Sequence, residues 1–146
     1  MLLVKGLIAG LAAGILMGLL SHAGFKIGMF RSSLFIIDGG FIQKFLHVKK
    51  TEKNTVLLGI PVHLITSVSF GVGYAVPIGI LAQDLLNGWL IVLYVLVLWL
   101  SMLFVALPIA GQGFIGKKIG SRTWIEQLVL HVFFGMALWG ALRVLL

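Results

Sequence analysis

Gly6, Gly10, Gly14 and Gly18 recur at a strict four-residue interval inside the first apolar run, and the same step then lands on His22 and Lys26. In a helix, residues four apart lie one above the other, ~6 Å along the axis. The interval therefore describes a groove without side chains that ends in an imidazole. Such a groove lets something come close, either a second helix or a flat ligand. It drifts around the helix by roughly 40° per step, because four residues overshoot one turn. A drifting seam suits a crossing partner helix of the small-xxx-small kind.

The rest of the chain decides the solvent in which such a helix sits. Hydrophobic residues make up 60% of its 146 positions, and only 10% are charged. Soluble domains average roughly 25% charged. With a mean hydropathy of +1.16, a chain of this length cannot hide its apolar surface from water, which points to an integral membrane protein with one small bundle. There is no cysteine, which excludes disulfides, thiolate metal sites and a cysteine nucleophile. The net charge of +7 fits a basic collar against anionic headgroups. Too little of the chain lies outside the apolar runs to build a nucleic-acid face.

Four spans are expected, at about 2–20, 55–81, 89–110 and 124–146. Lys5, the first apolar run and Ser21-His22-Ala23 share the outline of a cleavable signal peptide; we read a retained first span. The second span carries its own four-step ladder, Gly59, His63, Ser67, Gly71, Ala75 and Gly79. Pro61 falls in its first turns and Pro77 near its end, where a kink or stop is expected. The third span is bulky and apolar all round, with Trp89 as an interfacial anchor. The fourth carries a shorter row, Gln127, His131 and Gly135. Between spans one and two, residues 21–54 mix many apolar groups with Lys26, Arg31, Lys44, Lys49, Lys50 and Lys53. That pattern predicts one or two in-plane amphipathic helices, with Asp38 as the N-cap of the second.

Loop charges orient the chain. The first connection carries those six cations, the second none, and the third Lys117, Lys118 and Arg122. Loops one and three are therefore expected in the cytoplasm and both termini on the opposite side. Lys44, Lys49, Lys50, Lys117 and Lys118 are the candidate headgroup contacts.

This topology puts His63 and His131 at nearly equal height, roughly 10–12 Å inside their spans, with His22 at the edge. Histidine inside a membrane is costly and commonly functional. Two readings stay open. The pair could ligate the iron of a b-type haem, or contact a quinone, with His22 as a weaker candidate. Alternatively, each imidazole hydrogen-bonds a carbonyl, Ser67 or Ser101 and holds the bundle together. A metal site other than haem iron lacks an acidic residue at that depth. The helix-packing candidates are Gly6, Gly10, Gly14, Gly18, Gly59, Ser67, Gly71 and Gly135. Glu126 reads as an interfacial carboxylate at a helix start, paired with Arg122. Gly111-Gln112-Gly113-Phe114-Ile115-Gly116 has the G-x-G-x-x-G spacing but follows an apolar helix, so a dinucleotide loop is rejected. No nucleophile–base arrangement or carboxylate pair stands in the spans, so an enzyme has no chemistry to rest on.

Spans two and four share a histidine followed by a small-residue stretch, Val62-His63-Leu64 before Phe70-Gly71-Val72-Gly73 and Leu130-His131-Val132 before Phe134-Gly135. With the turn Pro108-Ile109-Ala110-Gly111-Gln112-Gly113-Phe114-Ile115-Gly116, the chain resembles a family of uncharacterised small four-helix proteins of the bacterial inner membrane. The resemblance implies an all-α four-helix membrane fold and that location, and no activity. The aromatic segment between spans one and two has no counterpart in it. The leading functional expectation is a non-catalytic subunit of a larger membrane complex of the electron-transfer type. A small oligomeric transporter or channel, and a lipid-interacting membrane protein, are the alternatives.

Overall fold

The computed structural model describes residues 1–43, 45–46 and 48–146. The candidate headgroup contact Lys44 falls outside the described residues. The chain is all-α. Helix α1 (Leu2–Lys26), α2 (Leu34–Gln43), α3 (Glu52–Ile80), α4 (Gly88–Ile109) and α5 (Thr123–Leu145) follow in order. All but α2 are long and apolar enough to cross a membrane, which needs about 20 residues.

Helix α1 is the centre of the bundle, with α3 on one flank and α5 on the other; α4 packs on α5. Its buried side is made of Gly6, Ala9, Gly10, Ala13, Gly14, Met17, Gly18, Ser21 and Gly24. Leu3, Val4, Leu7, Ile8, Leu11, Ile15, Leu16 and Leu19 point outward. Small residues inside and large apolar ones outside is the arrangement expected where the solvent is hydrocarbon and close backbone approach drives packing.

The glycine groove is filled by α3, running antiparallel. A methyl group on Gly6 would come within 2.9 Å of the Gly71 carbonyl oxygen, and one on Gly10 within 2.6 Å of that of Ser67. At Gly14 the occupant is the Ser67 side chain. At Gly18 the groove admits side chains instead, the rings of Phe35 and His63. Gly135 performs the same task on α5, where Val95 of α4 sits against it.

Several boundaries differ from those expected. Helix α1 continues past Leu20 to Lys26, because Ser21 and His22 find partners inside the protein. Ser21 Oγ accepts from the Leu34 amide at 2.9 Å, and His22 Nδ1 lies 3.1 Å from Ser33 Oγ. Helix α3 starts at Glu52, N-capped by Thr51, whose side chain accepts from the Asn54 amide. Pro61 and Pro77 both lie within it, and the helix runs on to Ile80.

The segment between α1 and α3 holds one helix among its described residues, and its setting differs from the in-plane one expected. Helix α2 runs antiparallel along the first half of α3. Gly39 faces the Thr55 carbonyl, Gly59 faces the Phe35 carbonyl, and the Thr55 hydroxyl lies 3.0 Å from Gln43 Oε1. The two glycines bring the backbones into contact, so apolar bulk with basic flanks here belongs to a short helix docked on a span. Asp38 is inside α2 and is not a cap.

Helix α4 contains a π-helical turn at Met102–Ala106. Pro108 lies just beyond it and has no amide proton for the Phe104 carbonyl, a sufficient cause for the ladder to slip. The following Gly-rich turn is built on left-handed backbone at Gly111, Gly113 and Gly116 and also at Ile115. The G-x-G-x-x-G spacing is thus a turn requirement.

Candidate functional site

His63 is set into the α1–α3 seam at the point where the glycine groove ends. Its side chain is 7% exposed. Nε2 lies 3.1 Å from the carbonyl oxygen of Gly14, and Nδ1 lies 3.1 Å from Oδ2 of Asp38. A carbonyl oxygen only accepts, so Nε2 carries a proton. Between Nδ1 and Oδ2 there is room for one more. That proton is shared by the imidazole and the carboxyl. The absence of side chains at Gly14 and Gly18 lets the ring reach α1, and Phe35 stacks edge-on against it with ring centroids 5.5 Å apart.

His131 is equally buried on α5. Its Nδ1 donates to the Gln127 carbonyl one turn back at 2.7 Å. This fixes the tautomer of the neutral ring and leaves Nε2 as a bare acceptor. That nitrogen has no hydrogen-bond partner among the described residues.

Both histidines line one cavity of about 260 Å³. Asp38, Ser67, Thr66 and Ser101 supply its other polar groups, and Met17, Leu98, Phe70 and Phe134 are among its apolar walls. The π-helical turn of α4 forms one side through Met102, Val105 and Ala106. Thr66 on α3 and Ser101, Val105 and Ala106 on α4 are solvent-exposed, so the cavity opens sideways between α3 and α4. Toward the other end those helices are tied together, with the Tyr94 hydroxyl donating to the Phe70 carbonyl at 2.7 Å and the Tyr74 and Tyr94 rings 5.2 Å apart.

The structure thus brings His63 and His131 together and leaves His22 apart. The Phe35 ring stands between His22 and His63. His22 closes instead on Ser33, whose Oγ also accepts from the Phe35 amide at 3.2 Å. Among the packing candidates, Gly6, Gly10, Gly14, Gly59 and Gly71 meet backbone or Ser67 directly across a seam. Lys49, Lys50, Lys117 and Lys118 are exposed at the same end of the bundle as Lys26 and Arg31.

Two sequence expectations need correction. An acidic residue does lie at the depth of His63: α2 carries Asp38 there, 25 positions away in sequence. Glu126 pairs with the connecting segment, not with Arg122, its Oε2 accepting from the Arg31 backbone amide at 3.0 Å. Lys26 and Glu52 form an exposed ion pair that joins the ends of α1 and α3. No group of three or more His, Asp or Glu residues suited to a metal ion occurs among the described residues. Iron ligation by a pair of histidines fits poorly at His63, since both its nitrogens are committed and no lone pair is directed at the cavity.

Asp38 is the site residue that spacing missed, because it belongs to no ladder. The π-helical turn was signalled only by Pro108. No family model, curated protein or solved structure matches the chain.

Proposed function

We propose that this protein is a non-catalytic, multi-pass membrane subunit that holds a lipid-soluble ligand of the quinone class between His63 and His131. The observation that carries this reading is the cavity itself. It is mostly apolar, it opens sideways at mid-helix, and its polar atoms are concentrated in two buried histidines, Asp38 and three hydroxyls. A pocket of apolar walls with a few convergent polar groups is the usual form of a small-molecule site. A mouth between two apolar helices favours a ligand that arrives through the bilayer over one that arrives through water. The quinone class is preferred to haem because the partners of His63 leave it no ligating lone pair.

The subunit reading rests on the large outward apolar face of α4, with Val92, Leu93, Leu96 and Val97 exposed, and on the near absence of extramembrane structure. Membership in an electron-transfer complex of the bacterial inner membrane is part of the same proposal, as is the likeness to small four-helix proteins of that membrane. Loop charge supports an orientation with both termini outside the cytoplasm.

The test is purification in mild detergent, organic extraction and mass spectrometry of what is released, with an absorption spectrum of the same sample. A stoichiometric isoprenoid quinone, counted in its oxidised and reduced forms together, whose total is depleted in a His131→Phe variant supports the reading. A Soret band lost in both His63→Ala and His131→Ala favours haem and overturns it, as does an empty extract from a preparation that retains its protein partners. Single cysteines at Lys50 and Gln83, labelled from either side of intact cells, report the orientation.

A further inference from the structure

The hydrogen-bonding roles around the cavity are fixed more narrowly than its shape. Both ring nitrogens of His63 are taken up away from the ligand space, Nε2 donating to the Gly14 carbonyl and Nδ1 sharing a proton with Asp38 Oδ2. Oδ1, the second oxygen of Asp38, has no hydrogen-bond partner among the described residues and is an acceptor whichever member of the pair holds the shared proton. Thr66 Oγ1 has committed its proton to the Val62 carbonyl at 2.8 Å, so it can only accept. His131 Nε2 is a bare acceptor, because Nδ1 donates to Gln127. Ser67 and Ser101 can serve in either role. No lysine, arginine or tryptophan lines the space. Every polar atom with a fixed role therefore accepts, and none donates.

We infer that the cavity takes the hydroxyl-bearing form of its ligand, a hydroquinone or comparable phenolic lipophile, with His131 Nε2 and Asp38 Oδ1 accepting its O–H groups. This rests on the reading that the cavity holds a lipid-soluble ligand, and it narrows that class. A carbonyl oxygen brought to the same place would meet only lone pairs. A buried nitrogen left facing another acceptor loses its hydrogen bond and keeps its desolvation cost. The set of acceptors thus discriminates by redox state of the ligand without itself carrying electrons. His131 is the main determinant, since it is 95% buried and has no other partner for Nε2.

The experiment compares three probes on the detergent-purified wild-type protein, under anaerobic conditions, by titration calorimetry: trimethylhydroquinone, trimethyl-1,4-benzoquinone and the hydroquinone's dimethyl ether. The hydroquinone should bind at least about tenfold more tightly than either of the others, the scale of one lost hydrogen bond. In His131→Phe, which keeps an apolar ring, the hydroquinone should fall by about tenfold and the quinone should be unchanged. Equal or tighter binding of the quinone in the wild type overturns the inference while leaving the cavity a ligand site. Binding of none of the three overturns the ligand reading as well. The wild-type comparison decides the matter even where His131→Phe does not fold.

Discussion

His63 Nδ1 and Asp38 Oδ2 meet at 3.1 Å between α3 and α2. The contact joins the short helix to the bundle beside the cavity, where the His63 ring is buried and Asp38 is partly buried. Removing Asp38 leaves the Nδ1 of a buried ring without a partner. Asp38→Ala should destabilise the protein by about 1–3 kcal/mol, read as a lower midpoint of thermal unfolding in detergent. Asp38→Asn still offers a hydrogen-bonding atom to Nδ1 and should lose less. Nitrogen NMR of labelled His63 should show Nε2 protonated in both Asp38→Asn and the wild type. An Nε2 without its proton is incompatible with the Gly14 contact.

Gly10 and Gly40 make a matched pair for testing the groove. A side chain on Gly10 meets Ser67 and Gly71 backbone, which cannot move aside. Gly10→Leu should separate α1 from α3, at a cost above the roughly 1–3 kcal/mol typical of overpacking, and should show as loss of the folded species on resistance-to-unfolding assays in detergent. Gly40 lies in α2 with open space where its Cβ would be. Gly40→Ala should be neutral or stabilise by about 0.5–1 kcal/mol through helix propensity alone. Equal damage from both changes would mean that the groove is not the packing seam.

The four-span bundle was legible because its signals are local. Apolar run length needs no knowledge of distant residues. The ladders at Gly6–Gly18 and Gly59–Gly79 were legible for the same reason, since a period of four within one helix marks a face. They even placed His63 and His131 at one depth, where the cavity is found. What could not be read was which residue outside the ladders would arrive at that depth. Asp38 reaches His63 only because Gly39 and Gly59 let α2 lie along α3. In sequence, an aspartate before two glycines looks like a helix start. The π-helical turn was hidden for a different reason, since it arises from a missing donor at Pro108 and leaves no mark of its own in composition.

The hydroxyl of Tyr94 links α4 to α3 through the Phe70 carbonyl at 2.7 Å. Tyr94→Phe removes that bond and keeps the ring against Tyr74. Interhelical hydrogen bonds in membranes average about 0.6 kcal/mol and reach about 1.7 kcal/mol. A loss within that range is expected, together with faster hydrogen exchange at backbone amides of the facing stretches of α3 and α4. An unchanged exchange pattern would show that these helices are held by other contacts.

Ser101 and Ala106 stand at the sideways mouth of the cavity, one before the π-helical turn and one at its end. Because the chain has no cysteine, a single cysteine at either position reports on that mouth without background. Ser101→Cys and Ala106→Cys should both react with a lipophilic maleimide delivered through the membrane, and bound trimethylhydroquinone should slow both reactions. Pro108→Ala restores the amide proton that the Phe104 carbonyl lacks, so the turn should relax toward a regular α-helix. That change rotates the residues on one side of the turn relative to those on the other. The two cysteines should then no longer respond alike, one keeping its reactivity and its protection while the other loses both. A Pro108→Ala protein in which both still react and are both still protected would show that the π-helical turn does not shape the mouth.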